Sequence, residues 1–387
     1  VKSRVGVVGA GLVGASAAAH LGRLGFDVVV FDRQVPIRQT GKLGIDLRNV
    51  ALTQGSQDLL AQLGVWQALD IPAYHRMIVW EEWGASELCF DAADIGATQM
   101  GWIAENSLLT TALWNLLEQM PQVEVCVGSI EALSIDDSGV VVTLDGEHTK
   151  CELDFIIGAD GARSLVAEQL QVSRRDAPTG QVALATVVRH ADSHQHTAWQ
   201  RFLVDGPCAL LPGHEVNLSS IVWSQSPAQA ERRGALTDAQ FCAELTAVLE
   251  DRLGQILEVD QRLTFPLTQQ QAGTCHPHPR ALLVGDALRV VHPLAGLGVN
   301  LGLEDVAQLC AVARLHDDLS APDIWRRFAR RRETRSAFMI KLLASLQGIY
   351  GESGPSMSLL RNLGVRMVNA QQGLKRQIMR ETFSVGS

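Results

Sequence analysis

Residues 4–32 read RVGVVGAGLVGASAAAHLGRLGFDVVVFD. The stretch divides into a short apolar strand, the turn Gly9-Ala10-Gly11-Leu12-Val13-Gly14, a helix rich in small residues, and a second strand ending at Asp32. Glycines at 9, 11 and 14 between a strand and a helix, with an acid closing the next strand, form a dinucleotide fingerprint in its required context. Gly9 permits the turn, Gly11 lets a pyrophosphate reach the backbone N–H groups at the helix start, and Gly14 lets helix and sheet pack closely. Asp32 is placed to accept the hydroxyls of an adenosine ribose. The spacing does not separate NAD from FAD, and such glycines also serve plain α/β packing.

Two further glycine-acid elements lie down the chain. Residues 153–157 (LDFII) run as a strand into Gly158-Ala159-Asp160-Gly161 and then Arg163-Ser164. Residues 281–284 (ALLV) run into Gly285-Asp286, followed by Pro293, Gly296, Gly298 and Asn300. Both put a carboxylate at the carboxyl end of a strand, where open α/β sheets bind ligands. The second continues into the helix VNLGLEDVAQLCAVARL, whose free N–H groups suit negative charge developing on a planar ring.

Composition limits the alternatives. The 387 residues are 47% hydrophobic and 19% charged, with 33 Lys+Arg against 42 Asp+Glu and a formal net charge of -9. Such a chain buries a sizeable core, is not intrinsically disordered, and is not a phosphate-wrapping nucleic-acid binder. The charge is unevenly spread: the last 67 residues hold 12 Lys+Arg and 4 Asp+Glu, so a basic end of +8 follows a body of -17. No secretory signal and no run of eighteen apolar residues is visible, so a cytoplasmic protein is expected. The seven cysteines are scattered and never form C-x-x-C, which excludes a redox dithiol, and no G-x-S-x-G elbow supports a hydrolase. Cys275-His276-Pro277-His278 lacks a second ligand pair and reads as a surface loop, so no metal site is expected.

The three elements in this order resemble the single-component flavoprotein aromatic hydroxylases, and within them the hydroxylases of ubiquinone biosynthesis. Carrying the resemblance are the fingerprint, Arg48-Asn49-Val50-Ala51-Leu52, Leu63-Gly64-Val65-Trp66, Glu105-Asn106, Gly158 to Gly161, and Gly285-Asp286 with His292-Pro293-Leu294-Ala295-Gly296. Trp80-Glu81-Glu82-Trp83 and Phe90-Asp91-Ala92-Ala93 add to it, most closely toward the members that hydroxylate a demethoxy-quinol intermediate.

The resemblance implies an α/β fold, in which an FAD-binding Rossmann-like domain is interleaved with an antiparallel-sheet substrate domain and followed by C-terminal helices. The expected divisions are 1–70, 101–175 and 276–320 for the FAD domain, 71–100 and 176–275 for the substrate domain, and 321–387 for the basic helical end. It implies FAD held by Gly9, Gly11, Gly14, Asp32, Arg33, Arg48, Asp160, Gly285 and Asp286, with Gly296, Leu297, Gly298, Val299 and Asn300 against the isoalloxazine. NAD(P)H is a transient reductant, and a flavin C4a-hydroperoxide hydroxylates a hydrophobic quinol. Arg48, His292, Pro293 and Gly296 are the expected catalytic residues, with His292 donating to a phenolic oxygen or serving structure alone.

The family pattern generally has Ala-Ala-His and Gly-Gln-Gly where this chain has Ala287-Leu288-Arg289 and Gly296-Leu297-Gly298. Arg289 is expected to add charge near the pyrophosphate and Leu297 to remove a hydrogen-bonding group near the ring. Either FAD still binds or the chain is a flavin-poor scaffold. Tyr74, Trp80, Trp83 and Phe90 are either strand packing or the rim of a substrate pocket. Residues 325–349, with six arginines from Arg326 to Arg335, and SLLRNLGVRMVNA read as helices. They either pack back on the body, lie on an anionic membrane surface at the inner face of the cell membrane, or hold other ubiquinone-biosynthesis proteins. No nucleic-acid partner is expected.

Overall fold

The computed structural model describes residues 2–82, 87–146, 150–292, 296–321 and 323–351, with only the backbone at 342–351, and Gln371, Gly373, Lys375, Arg376, Gln377 and Met379. The opening segment forms strand β1 (Arg4–Val8), helix α1 (Leu12–Arg23) and strand β2 (Asp27–Asp32). These lie in a five-stranded parallel sheet, in the order Ala281–Leu283, Phe155–Gly158, β1, β2, Val123–Val127. Val28 to Val30, Phe155 to Ile157 and Ala281 to Leu283 are fully buried, which is why these strands read as unbroken apolar runs. The sheet topology brings Val8, Gly158 and Leu283, and the three glycine-acid elements behind them, to one edge.

The expected strand over 153–157 breaks at Asp154. Its carboxylate accepts from Arg4 N at 2.7 Å and its N–H donates to Arg4 O at 2.9 Å. Lys150–Leu153 belongs to a separate antiparallel sheet with Ile130–Ile135 and Val140–Leu144, and the chain changes sheets at this residue.

A nine-stranded sheet forms the second layer. Its path runs Arg289–Val290, Leu263–Ala272, Arg174–His190, Leu218–Gln225, Gly206–Pro212, Thr197–Leu203, Arg76–Glu81, Leu88–Asp91, with Ile256–Val259 paired to Arg174–His190. It is antiparallel except for one seam, where Thr197–Leu203 runs parallel to Arg76–Glu81. That pairing needs a long crossover, and the residues between the two strands supply it. Two helices follow the sheet strands, Pro227–Gly234 and Asp238–Val248, and Thr237 and Gln240 form a capping box that starts the second. A small sheet of Asn49–Leu52, Gly101–Glu105 and Ala73–Tyr74 lies between the layers in chain order.

The C-terminal helix spans Arg326–Gly351, and its start is anchored in the nucleotide-side core. Trp325 stacks on Phe155 with centroids 5.4 Å apart, and its indole N–H donates to Leu319 O at 2.8 Å. Met379 is buried with Tyr74, Phe90, Met100 and Ile103, so the described parts of the basic end pack back on the body. The second helix expected there, SLLRNLGVRMVNA, lies outside the described residues. No helix among the described residues is long and apolar enough to cross a membrane.

Candidate active site

The site grows from the carboxyl edge of the parallel sheet. Gly9 has a φ of +93°, and a Cβ there would lie 2.5 Å from Ala159 O, so the first and second glycine elements touch backbone to backbone. A Cβ on Gly14 would lie 1.8 Å from Gly9 O. Gly11 is different: it is exposed, and a Cβ would meet nothing within 4 Å. It is also the N-cap of α1 without a side-chain cap, so the first amides of the helix face open space. Asp32 stands beside this opening, and its carboxylate also accepts from Ala10 N at 2.6 Å and steadies the turn. Arg33 is exposed at the same strand end.

In the second element Asp160 divides its carboxylate. Oδ2 accepts from Leu165 N at 2.6 Å and Val166 N at 3.3 Å, at the start of the Leu165–Gln169 helix, while the buried Oδ1 has no partner among the described residues. Burial pushes its pKa up against those hydrogen bonds. In the third element, Gly285 adopts a φ of +59° against Val13. Asp286 is open to solvent, yet the surrounding protein raises its pKa by desolvation, as expected for a carboxylate at the bottom of a cleft.

Arg289 does not add charge to the pyrophosphate region. It is 2% exposed and grips Asp305 with both Nη atoms, at 2.8 and 2.9 Å, so its charge is neutralised inside the protein. Leu297 does not turn its side chain to a ring position either. It packs with Phe202, Val291, Leu301 and Met339, and what remains for a ligand is its amide at the start of helix Leu297–Ala313. Gly296 caps that helix at a φ of +61°, and the amides of Leu297, Gly298 and Val299 lack intrahelical acceptors. The side chain of Asn300 is fully spent: Oδ1 accepts from Thr53 N at 2.9 Å and Ser56 Oγ at 2.7 Å, and Nδ2 donates to Ala51 O and Gly296 O. Asn300 therefore fixes the loop to the Asn49–Leu52 strand.

Arg48 is pinned by its backbone and free at its tip. Asp46, 2% exposed, accepts from Arg48 N at 2.9 Å and Ser107 N at 3.0 Å, and Asn106 N donates to Arg48 O at 3.0 Å. The exposed guanidinium has no hydrogen bond among the described residues.

His292 is fully buried, and Gln181 fixes its tautomer. Gln181 Nε2 donates to Asp205 O at 3.1 Å, so Oε1 is the atom 2.9 Å from His292 Nε2, which must carry the proton. Among the described residues the buried Nδ1 has no partner, and burial lowers the pKa to about 4. His292 is thus neutral and donates to Gln181, which fits the structural role among the two the sequence left open. Pro293 lies outside the described residues.

Strand Arg76–Glu81 divides the aromatic segment between two faces. Trp80 packs with Leu184, Trp223 and Phe241 and meets Trp199 edge-on at 6.1 Å, away from the Gly296 side. Tyr74 and Phe90 lie in the other cluster, with Met77, Val79, Met100 and Ala51. Ala51 links this cluster to the loop, since a Cβ on Gly296 would lie 3.1 Å from its own Cβ. Trp83 lies outside the described residues. Cys275, expected on a surface loop, is fully buried, and its thiol is pushed upward by burial. Among the described residues no three metal-ligating side chains come together.

The edge therefore offers helix-start amides at α1 and at Leu297–Val299, the exposed carboxylate of Asp286, the exposed guanidinium of Arg48 and an adjoining apolar cluster. This set fits an extended dinucleotide with a planar ring at one end. Sequence reasoning missed Asp46, Gln181, Asp305 and Arg332, which act through tertiary contacts and leave no local spacing.

Residues 2–316 match the family described as FAD binding domain. The chain is 33% identical to the 3-demethoxyubiquinol 3-hydroxylase of Escherichia coli (strain K12), covering 98% of this chain and 97% of that protein. It is 34% identical to the ubiquinone hydroxylase UbiL of Rhodospirillum rubrum, covering 97% and 88%. Among solved structures, p-nitrophenol 4-monooxygenase PnpA from Pseudomonas putida DLL-E4 shares the fold, with a TM-score of 0.79 at 19% identity over 98% of this chain and 97% of that one.

Proposed function

This chain belongs to the FAD binding domain family, within the ubiquinone-biosynthesis hydroxylases, and from that premise we propose that it hydroxylates the ring of a polyprenylated ubiquinone precursor. It is an FAD-dependent aromatic monooxygenase. One oxygen atom of O₂ enters the ring as a hydroxyl and the other leaves as water, with NAD(P)H supplying two electrons. FAD, when bound, supplies the chemistry that joins nicotinamide oxidation to oxygen activation.

The chain's own residues bind and orient. The amides behind Gly11 hold the pyrophosphate, Asp32 the ribose, and Arg48 and Asp286 the polar chain. The amides of Leu297, Gly298 and Val299 stabilise negative charge on the ring. His292, buried and hydrogen-bonded to Gln181, ties the chain ahead of the Gly296 loop to strand Arg174–His190. The observation that carries the substrate class is the apolar cluster of Tyr74, Phe90, Met77 and Met100, which reaches the Gly296 loop through Ala51. Methionines suit a flexible apolar tail. The internal neutralisation of Arg289 removes the main argument for a flavin-poor scaffold.

The test is the lipid-quinone profile of cells lacking the chain, complemented with the intact protein or with Gly11→Trp. One under-hydroxylated precursor is expected to accumulate and to be cleared by the intact chain alone. A normal profile in the deletion, or full rescue by Gly11→Trp, refutes the proposal.

A further inference from the structure

Asp305 lies in helix Leu297–Ala313 and is 0% exposed. Its two oxygens take four donors: Gly285 N at 2.9 Å, Arg289 Nη1 at 2.8 Å and Nη2 at 2.9 Å, and Arg332 Nε at 2.5 Å. Arg332 comes from the C-terminal helix, beyond the family-matched residues 2–316, and is 2% exposed. Its other nitrogens bind Glu304 Oε1 at 2.6 Å and Leu301 O at 3.3 Å, and Arg289 Nη2 also reaches Leu301 O at 2.7 Å. One carboxylate therefore joins the Gly285–Asp286 turn, the Arg289–Val290 strand that follows it, and the two helices that carry Leu297 and its neighbour Met339.

We propose that Arg332 is a positioning residue for the cofactor cleft. It fixes Asp305, and Asp305 fixes the Gly285–Asp286 turn through the Gly285 N–H. This rests on the reading of the cleft as a flavin site. The physical ground is that a buried ion network yields little net stability after desolvation, whereas its geometry is narrowly defined by forked guanidinium donors. Removing Arg332 leaves Arg289 and Asp305 as a neutral bidentate pair, and Glu304, 17% exposed, keeps the guanidinium of Arg335 at 3.7 Å. What is lost is the tether between the C-terminal helix and the turn. Removing Asp305 instead leaves the buried Arg289 guanidinium without its carboxylate and Arg332 with Glu304 alone, which makes Arg332 the cleaner site to perturb.

The experiment titrates FAD into apo-protein by flavin fluorescence, for the intact chain, Arg332→Leu and the exposed-face control Arg331→Leu. Apo-protein melting and amide exchange of the peptide containing Gly285 are read alongside. Arg332→Leu is expected to raise the FAD dissociation constant about tenfold and to speed exchange at Gly285, while Arg331→Leu changes neither. A melting temperature that falls in Arg332→Leu with an unchanged dissociation constant and unchanged Gly285 exchange overturns the proposal and makes the network a plain strut. If Arg332→Leu fails to fold, Arg332→Lys, which keeps the charge and loses the fork, carries the same two readouts and the same refutation. Failure of the intact chain to bind FAD refutes the flavin reading instead.

Discussion

Gly11 and Gly14 lie three residues apart in one motif and are expected to fail in opposite ways. At Gly11 the backbone is extended, with φ of -68° and ψ of -173°, and an added Cβ meets nothing within 4 Å. Gly11→Val should therefore cost the apo-protein no more than about 1 kcal/mol, the difference between glycine and an apolar residue at an N-cap. The side chain would fill the space in front of the helix-start amides. Two hydrogen bonds from those amides to a phosphate, at about 1.5–3 kcal/mol each, amount to a loss of FAD affinity of roughly 10²–10⁴-fold. At Gly14 a Cβ would lie 1.8 Å from Gly9 O, so backbone must move. Gly14→Ala should destabilise the apo-protein by about 3 kcal/mol, at the upper end of overpacking. Denaturant unfolding of apo-protein and a fluorescence titration with FAD separate the two outcomes. A Gly11→Val protein that binds FAD like the parent, or that is destabilised as much as Gly14→Ala, refutes the assignment of Gly11 to the cofactor.

Asn300→Ala should lower stability by about 2–4 kcal/mol, because it strands Thr53 N–H and frees the Gly296 loop; unfolding that shifts by less than about 1 kcal/mol counts against the tether. His292→Ala should lower stability by about 1–3 kcal/mol, because it leaves Gln181 Oε1 without its donor beside a new cavity, and an unfolding midpoint equal to the parent's counts against that buried contact. Acid should destabilise the protein. His20, His194 and His292 all have pKa values lowered to about 4 by burial, so between about pH 6.5 and 4 the unfolded chain takes up protons that the folded one refuses, and stability falls across that window. Asp160 and Asp286, raised by desolvation, run the other way and soften the slope. Denaturant midpoints at pH 7.5, 6 and 5 measure it, and a flat profile refutes it.

The parts of the site made of backbone were legible in the sequence. A turn that must adopt positive φ, or let two main chains touch, tolerates few residue types, so Gly9, Gly14, Gly285 and Gly296 stand out in the sequence as backbone-constrained positions. The alternation that sends Met77 and Val79 to one face and Ile78 and Trp80 to the other was also present as a period of two. Of the two readings of the aromatic segment, Trp80 follows strand packing, and which face each aromatic takes depends on strand direction, which aromatic content alone does not carry. The break at Asp154 is set by Arg4, and the parallel seam by residues more than a hundred positions away, so neither leaves a local signal. Asn300 shows the limit most clearly. Its place in a glycine loop points to a ligand, whereas four hydrogen bonds to Thr53, Ser56, Ala51 and Gly296 leave its amide nothing to offer.

The basic end carries the same lesson for charge. Counted along the chain, the arginines from Arg326 to Arg335 look like one cationic surface. In space they divide by helical face. Arg332 turns inward to Asp305 and Glu304, Arg335 lies 3.7 Å from Glu304, and Arg326 pairs with Asp323. Arg327, Arg330 and Arg331 remain exposed, on the side that also presents Phe338 at 49% exposure. The charge free to meet a surface is therefore about half of what the sequence count suggests. A guanidinium at 332 contributes nothing to that surface and little to net stability. The work left to it is geometric: holding the carboxylate that holds Gly285, so that a helix from outside the nucleotide fold sets the edge of the cleft.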